Sequence, residues 1–432
     1  MAKFIIRRIF LLILTMLLVS LAVFLIAESS PGNVARNVLG SFVTPEQEAS
    51  FLAQMGLDKP IWLRYIYWLI GSDWHASAKV GLPLERTITD NDFEEWWAHK
   101  DDTVLIRWKL EGDDLIAVEQ TGAGALTEYV DNERWRTDKA GISTFWGIDT
   151  KNHVVQWEKG SDRQVWTFVV GSGWMESSGG PREYIPLKRG FLRGDPGDSL
   201  RTGRPVSKSL FVRLRNSLVL AAIAFIIVMP LALILGIIAG LREGSFRDRF
   251  LSIFGMTFSV IPEFATGIFL ILIFAHWLKW VPGATVFGEK APWQRPDMLI
   301  LPVLTLTLVE LGYVLRITRA SMADVMRAQY IRTAFLKGLP YWRVVLVHAI
   351  RNALIAPITV IMLHVNWLLG GIVIVEVVFG YPGLGQYLLD SALYKDINAL
   401  EAGAMIMVTV AVSTQLVADI IYTFLNPRIR YN

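Results

Sequence analysis

Cysteine is absent from all 432 residues, which removes disulfides, thiolate nucleophiles and Cys-ligated metals together. Charge is scarce too: Asp, Glu, Lys and Arg supply 19% of the chain, and the net charge is only +3. So small a balance, with no basic stripe carrying interleaved aromatics, gives no reason to expect a nucleic-acid partner. A phosphate-cradling glycine loop is also missing, so any nucleotide-driven work must come from another polypeptide.

What is present is apolar. Hydrophobic residues make up 53% of the sequence and mean hydropathy is +0.41. Phe10 to Ala27 forms a first apolar run behind the basic start Lys3, Arg7 and Arg8. A secretory signal would look similar, but the run is long enough to span at roughly 19 residues, and Glu28-Ser29-Ser30-Pro31-Gly32 is a weak cleavage site. A retained transmembrane helix is expected. Further apolar segments cover about 211–241, 252–280, 298–319, 348–378 and 401–425. Glycine and proline inside them (Pro230, Gly236, Pro262, Gly267, Pro302, Pro357) are tolerable as kinks, because neighbouring helices can satisfy freed backbone groups.

Six spans leave both termini on one side. Lys and Arg gather before the first span, at Arg242, Arg247 and Arg249, between Arg316 and Arg351, and at Arg428 and Arg430. All fall on one face, which predicts N-in and C-in. The expected fold is an all-α polytopic membrane protein of six transmembrane helices, with a small β-rich extracytoplasmic domain inserted between helices 1 and 2. Residues 1–70 then hold the first helix and an amphipathic outer segment, 71–190 the insert, and 191–432 a five-helix core. Within the outer segment, Thr44-Pro45-Glu46 predicts a capped helix over 44–70. In the insert, strand-like runs occur at 103–110, 115–118, 154–157 and 165–170, with a turn at Gly112-Asp113. A solvated loop is the alternative, but tryptophans at strand spacing favour a packed core.

The loop between Ser321 and Pro357 carries the most functional information. Met322, Val325, Met326, Tyr330 and Ala334 recur at helical spacing as an apolar stripe. Gly338 suits a helix end and Pro340 the first turn of the next helix. A basic amphipathic helix resting on anionic lipid would carry similar residues.

Residues 330–340 resemble the "EAA" coupling loop of ABC-importer permeases, in the form used by the dipeptide/oligopeptide branch. The resemblance extends to Gly56-Leu57-Asp58-Lys59-Pro60, to Arg193-Gly194-Asp195-Pro196-Gly197-Asp198-Ser199-Leu200 and to Arg316-Ile317-Thr318-Arg319-Ala320-Ser321-Met322. It continues through His348-Ala349-Ile350-Arg351-Asn352, Gly370-Gly371, Glu376 with Phe379, and Pro382-Gly383-Leu384-Gly385. Arg332 stands where the motif's naming glutamate would be, as is common in the peptide branch. The insert interrupts family blocks that normally lie close together.

The resemblance implies that Arg332, Thr333, Ala334, Lys337, Gly338 and Leu339 seat in a groove of a cytoplasmic ATPase. It implies a sister permease, two ATPase subunits that hold ATP and Mg, a periplasmic substrate-binding protein and a lipid surround, with no cofactor on this chain and no catalysis by it. The outer-gate motif would be Gly370, Gly371, Phe379, Pro382, Gly383 and Gly385, in a re-entering loop that helps admit substrate. The insert would extend the docking platform for the binding protein or stabilise the complex, as its position and aromatic content suggest.

His364, Asn366 and Glu376 lie inside apolar sequence and are translocation-pathway candidates. Interhelical hydrogen bonding is the alternative reading, especially for Glu376 beside Phe379 and Pro382. Glu263 and Glu310 are weaker candidates. With no carboxylate at ligand spacing around His364, no metal site is expected. Two other classes compete. A secondary transporter would show inverted repeats and charged discontinuous helices. A membrane-anchored hydrolase would use His75, His99 or His153 in the insert, but no nucleophile elbow accompanies them. Cargo stays open among peptides, glutathione, nickel chelates and oligosaccharides.

Overall fold

The computed structural model describes residues 2–29, 34–40, 43–88, 94–122, 124–160, 164–169, 173–178, 181–287 and 291–425. Side chains at 2–5, 7, 8, 29, 37, 164–169, 173–178, 181, 363–369 and 419–425 are outside the description. Contacts divide the chain into two units. One is Met1–Ala22 with Lys208–Ser391 and Gly403–Asn432; the other is Val23–Ser207 with Ala392–Ala402.

After α1 (Ala2–Ser29) come α2 (Val34–Leu39), α3 (Pro45–Gln54), α4 (Ile61–Ile70) and α5 (Asp73–Val80). Thr44 and Gln47 form a capping box over α3, with Pro45 in its first turn. The single helix expected over 44–70 is therefore two. Gly56, at φ +69°, ends α3, with Leu57 N donating to Leu52 O at 2.7 Å, and Pro60 then precedes the new start at Ile61.

The β-rich region contains a five-stranded antiparallel sheet in chain order, β1 (Leu84–Ile88), β2 (Glu94–His99), β3 (Val104–Glu111), β4 (Asp114–Thr121) and β5 (Leu126–Val130). A second sheet takes the order β11-β8-β7-β6, from β6 (Arg136–Thr137), β7 (Ser143–Ile148), β8 (His153–Lys159) and β11 (Pro181–Pro186). β9 (Gln164–Val169) and β10 (Gly173–Ser178) form a hairpin. The expected turn at Gly112-Asp113 joins β3 to β4, with Leu110 opposite Leu115. Trp108, Phe145 and Trp157 are buried together, the Phe145 ring 5.6 Å from Trp108 and 5.2 Å from Trp157. Each such ring contributes roughly 2–3 kcal/mol through burial. Trp108 Nε1 donates to Asp131 at 2.9 Å, so its polar atom is satisfied. With no disulfide available, this packing is what holds the domain.

The domain enters and leaves through one neck. Ser72 N donates to Lys188 O at 2.9 Å, Lys188 N to Ser72 Oγ at 2.9 Å, and Ser72 Oγ to Pro186 O at 2.6 Å. The Arg193 guanidinium adds a two-point grip on Asp73 at 2.8 and 2.5 Å. The family blocks on either side of the insert thus stay adjacent despite more than a hundred intervening residues.

After the insert, α6 (Val206–Leu241) is followed by α7 (Phe246–Val260) and by α8 (Glu263–Leu270), which continues as a π-helical turn to Trp277. Then come α9 (Ile300–Met326), α10 (Gln329–Leu336) and α11 (Tyr341–Arg343), which leads through a π-helical turn into α12 (Ile350–Ala353). The chain closes with α13 (Ile355–Phe379), α14 (Leu384–Tyr394) and α15 (Ile397–Leu425). Among the described residues, 4 helices are long and apolar enough to cross a membrane, or up to 7 spans if each bent pair counts as one. The run at 252–280 is one such pair, bent by 107°. Pro262 leaves Ile261 extended, with φ −74° and ψ 128°, so a sharp bend replaces the expected kink. Gly240 lets α6 touch α9 directly: a Cβ there would lie 2.6 Å from Arg319 O.

Candidate functional site

The elbow at α10 is built from inside outward. Extended backbone at Ala328 ends the run of α9, and α10 starts at a new angle. Ile331 and Ala334 turn inward onto Met322, Val344, Val345, Ala349 and Ala353, an apolar base formed with α9, α12 and the turn between α11 and α12. Arg332, Thr333, Lys337 and Gly338 face out, Leu339 is half-buried, and Leu336 is 80% exposed. The stripe expected as one helix face is thus shared: Met322, Val325 and Met326 belong to α9, Ala334 to α10. Tyr330 sits beside it, 44% exposed, with Asn352 Nδ2 donating to its hydroxyl at 3.2 Å. Gly338 takes φ +77° and ends α10, its N–H donating to Phe335 O at 2.9 Å. Ser321 Oγ donates to Ala353 O at 2.8 Å and pins α9 to α12.

The outer-gate motif forms a second site, closed upon itself. Glu376, near the end of α13, is wholly buried. Its carboxylate accepts from Ser217 Oγ on α6, from Gly385 N at 2.6 Å and from Gln386 N at 3.3 Å. Those two amides are free N–H groups at the start of α14, so an anion there is favourable. Ser217 Oγ also accepts from Leu384 N at 2.7 Å. Asn216 Nδ2 donates to Pro382 O at 2.9 Å, and Tyr381 Oη donates to Asn216 O at 2.7 Å. Phe379 is buried, and its carbonyl accepts from Thr285 N at 2.9 Å. A Cβ on Gly383 would overlap the Glu376 carboxyl, and one on Gly385 would lie 2.7 Å from Val373 Cα.

The other polar candidates separate. His364 and Asn366 belong to α13, where their side chains lie outside the described residues. Glu310 is buried on α9. Glu263 opens α8 and reaches to 3.9 Å of a Cβ built on Gly371, whereas Gly370 faces open space. In the insert, His75 is hydrogen-bonded to Tyr67, His99 lies 2.5 Å from Glu85, and His153 lies 3.4 Å from Asp149. Each of these histidines has its own partner, and no group able to hold a metal occurs among the described residues. Asn216 and Ser217 escaped the sequence reading. They are two ordinary polar residues on a long apolar helix, and only the fold brings them to Glu376.

Several membrane-length apolar helices, a basic elbow between two of them and a small β-rich region define a multi-pass membrane subunit. The chain belongs to the family of binding-protein-dependent transport system inner membrane components. That family's model matches residues 232–431, and the N-terminal model of such components matches 1–80. Among its relatives is the probable peptide ABC transporter permease protein y4tP of Sinorhizobium fredii, 34% identical over 58% of this chain and 80% of the relative. The oligopeptide transport system permease protein AppB of Bacillus subtilis shows the same identity and coverage. The dipeptide transport system permease protein DppB of Escherichia coli is 30% identical over 66% of this chain and 87% of its own. This chain is a permease subunit of an ABC importer in the inner membrane, and family membership brings ATPase partners and a substrate-binding protein with it.

Proposed function

We propose that this chain forms half of a translocation channel, paired with a sister permease, and passes a peptide or peptide-like solute from a periplasmic binding protein to the cytoplasm. The peptide assignments of its relatives support that cargo. Six spans with both termini cytoplasmic, and a β-rich domain on the periplasmic side, follow from the Lys and Arg distribution. In this reading α10 is the element that enters the groove of an ATPase. ATP and Mg stay with the two ATPase subunits, and the remaining apolar faces meet lipid.

One observation carries the proposal. The elbow exposes Arg332, Thr333 and Lys337 while Ile331 and Ala334 fix it to three other helical elements from beneath. A lipid-resting helix would turn its apolar stripe outward, but here Ile331 and Ala334 of that stripe are covered within the chain, while Phe335 and Leu336 stay exposed beside the basic residues. A knob anchored from beneath that presents basic, polar and apolar surface together is suited to transmit motion from a partner to a two-state bundle.

Since the chain has no cysteine, Lys337→Cys is a unique thiol. A short bifunctional crosslinker should join it to an ATPase subunit in inside-out membrane vesicles. Modification only by an impermeant reagent applied from the periplasmic side, with no ATPase adduct, would overturn the assignment.

A further inference from the structure

Ahead of the elbow lies a cluster of charge that the coupling motif does not include. Asp248, in the first turn of α7, is only 2% exposed. Arg319 on α9 meets it with two parallel hydrogen bonds, Nε to Oδ1 at 2.9 Å and Nη2 to Oδ2 at 2.8 Å. Gly244 N donates to Oδ2 at 2.8 Å and Ser252 Oγ to Oδ1 at 3.3 Å, so both oxygens are saturated. Glu243, in the turn from α6 to α7, pairs with Arg327 and lies 3.7 Å from Arg319. Arg319 and Arg327 are eight residues apart, about two helical turns. Both belong to the last stretch before α10.

A two-point Arg–carboxylate contact fixes direction as well as distance, unlike a single ion pair. Its burial makes it resistant to screening by salt. The close contact of α6 with α9 at Gly240 stands immediately beside it. Whatever displaces the end of α9 must therefore carry the α6–α7 turn along. Beyond that turn, α7 leads through the bend at Pro262 into α8. There a Cβ on Gly267 would lie 3.1 Å from Val378 and 3.2 Å from Phe379, at the foot of the outer turn.

We propose that Asp248 and Arg319 are positioning residues for transport. The clamp carries movement of the elbow into the α7–α8 pair and so to the outer turn, a role that rests on the reading of α10 as the ATPase contact. Its loss loosens the relation between ATP hydrolysed and solute moved.

The test uses the complete importer in proteoliposomes with its binding protein, measuring solute accumulated per ATP hydrolysed. Asp248→Asn should lower that ratio about tenfold, within the range by which substitutions between coupled sites alter their coupling. Arg319→Lys, which keeps the charge but not the two-point geometry, should fall between Asp248→Asn and the unaltered importer. The exposed pair Arg295–Asp297 supplies the control: Asp297→Asn should leave the ratio unchanged. An unchanged ratio in an assembled Asp248→Asn importer overturns the clamp. If that variant does not assemble, Arg319→Lys decides: an unaltered ratio rejects the proposal and an intermediate one supports it. Failure of Lys337→Cys to reach an ATPase would instead overturn the underlying reading, since that thiol is independent of the clamp.

Discussion

The turn after α10 and the turn before α14 both centre on a family-motif glycine, yet their surroundings are opposite. Gly338 has nothing within 4 Å of a built Cβ, and what it contributes is its φ of +77°. Gly383 is crowded by the Glu376 carboxyl, and what it contributes is the absence of a side chain. The first turn presents Arg332, Thr333, Lys337 and Gly338 outward and tucks Ala334 beneath; the second folds its motif residues onto one another. A motif on the first can serve a partner, while a motif on the second serves the chain's own geometry. Glu376, a pathway candidate by sequence, is accordingly the anchor of the outer turn. It holds the start of α14 and the polar step on α6 together.

The largest effect should come from breaking that anchor. Glu376→Ala leaves Ser217 Oγ and the amides of Gly385 and Gln386 without their acceptor in a buried site. Stranding such donors costs about 3 kcal/mol. Thermal unfolding of the detergent-purified chain should show the loss, and uptake should fall with it. Glu376→Gln keeps one acceptor oxygen and should recover part of both. A fully stable Glu376→Ala chain would mean that the outer turn does not depend on this carboxylate.

At the elbow the same comparison can be sharpened with two neighbours. Ala334 is buried in the apolar base, so Ala334→Leu should overpack it and destabilise the chain by about 1–3 kcal/mol. Arg332 is exposed, and Arg332→Ala should change stability by no more than about 0.5 kcal/mol. Yet Arg332→Ala should weaken ATPase retention during co-purification. The reverse pattern would make Arg332 structural and Ala334 a contact.

Much of this architecture was readable without coordinates, because its strongest signals are local. Thr44-Pro45 marks a helix start, Gly112-Asp113 a hairpin, and Gly338-Leu339-Pro340 a turn between helices. The strand runs at 115–118 and 154–157 fall within β4 and β8, the run at 103–110 starts one residue ahead of β3, and the run at 165–170 meets β9, with residue 170 outside the described residues. What stayed hidden depends on contacts across long separations. The bend at Pro262 looks like a kink in sequence, which does not distinguish a proline that deflects a helix from one that ends it. Pro230, by contrast, lies inside α6 without breaking it. One partner of Glu376, Ser217, stands 159 residues away on α6. The neck at Ser72 and Lys188 likewise joins residues that only the folded insert brings together.

The smallest expected effect lies in that insert-bearing unit and extends the contrast to charge. Burial lowers the His75 imidazole below its ordinary value of 6.5, and Lys79 and Lys59 push the same way against Glu183. Its partner Tyr67 is pushed by burial up to about 12, so that hydroxyl stays neutral throughout the working range. The folded state thus prefers neutral His75 and takes up its proton at lower pH than the unfolded chain does. The resulting stability is complete above pH 6.5 and is lost as pH falls through the depressed value. Melting followed by tryptophan fluorescence should therefore shift downward as pH falls below about 7, and His75→Gln should flatten that dependence. Because His75 is only partly buried, the shift should be a few degrees at most, far below the loss expected for Glu376→Ala. An identical pH dependence in the His75→Gln chain would assign the titration to another group. The insert would then be held by apolar packing and its neck, with no contribution from this histidine.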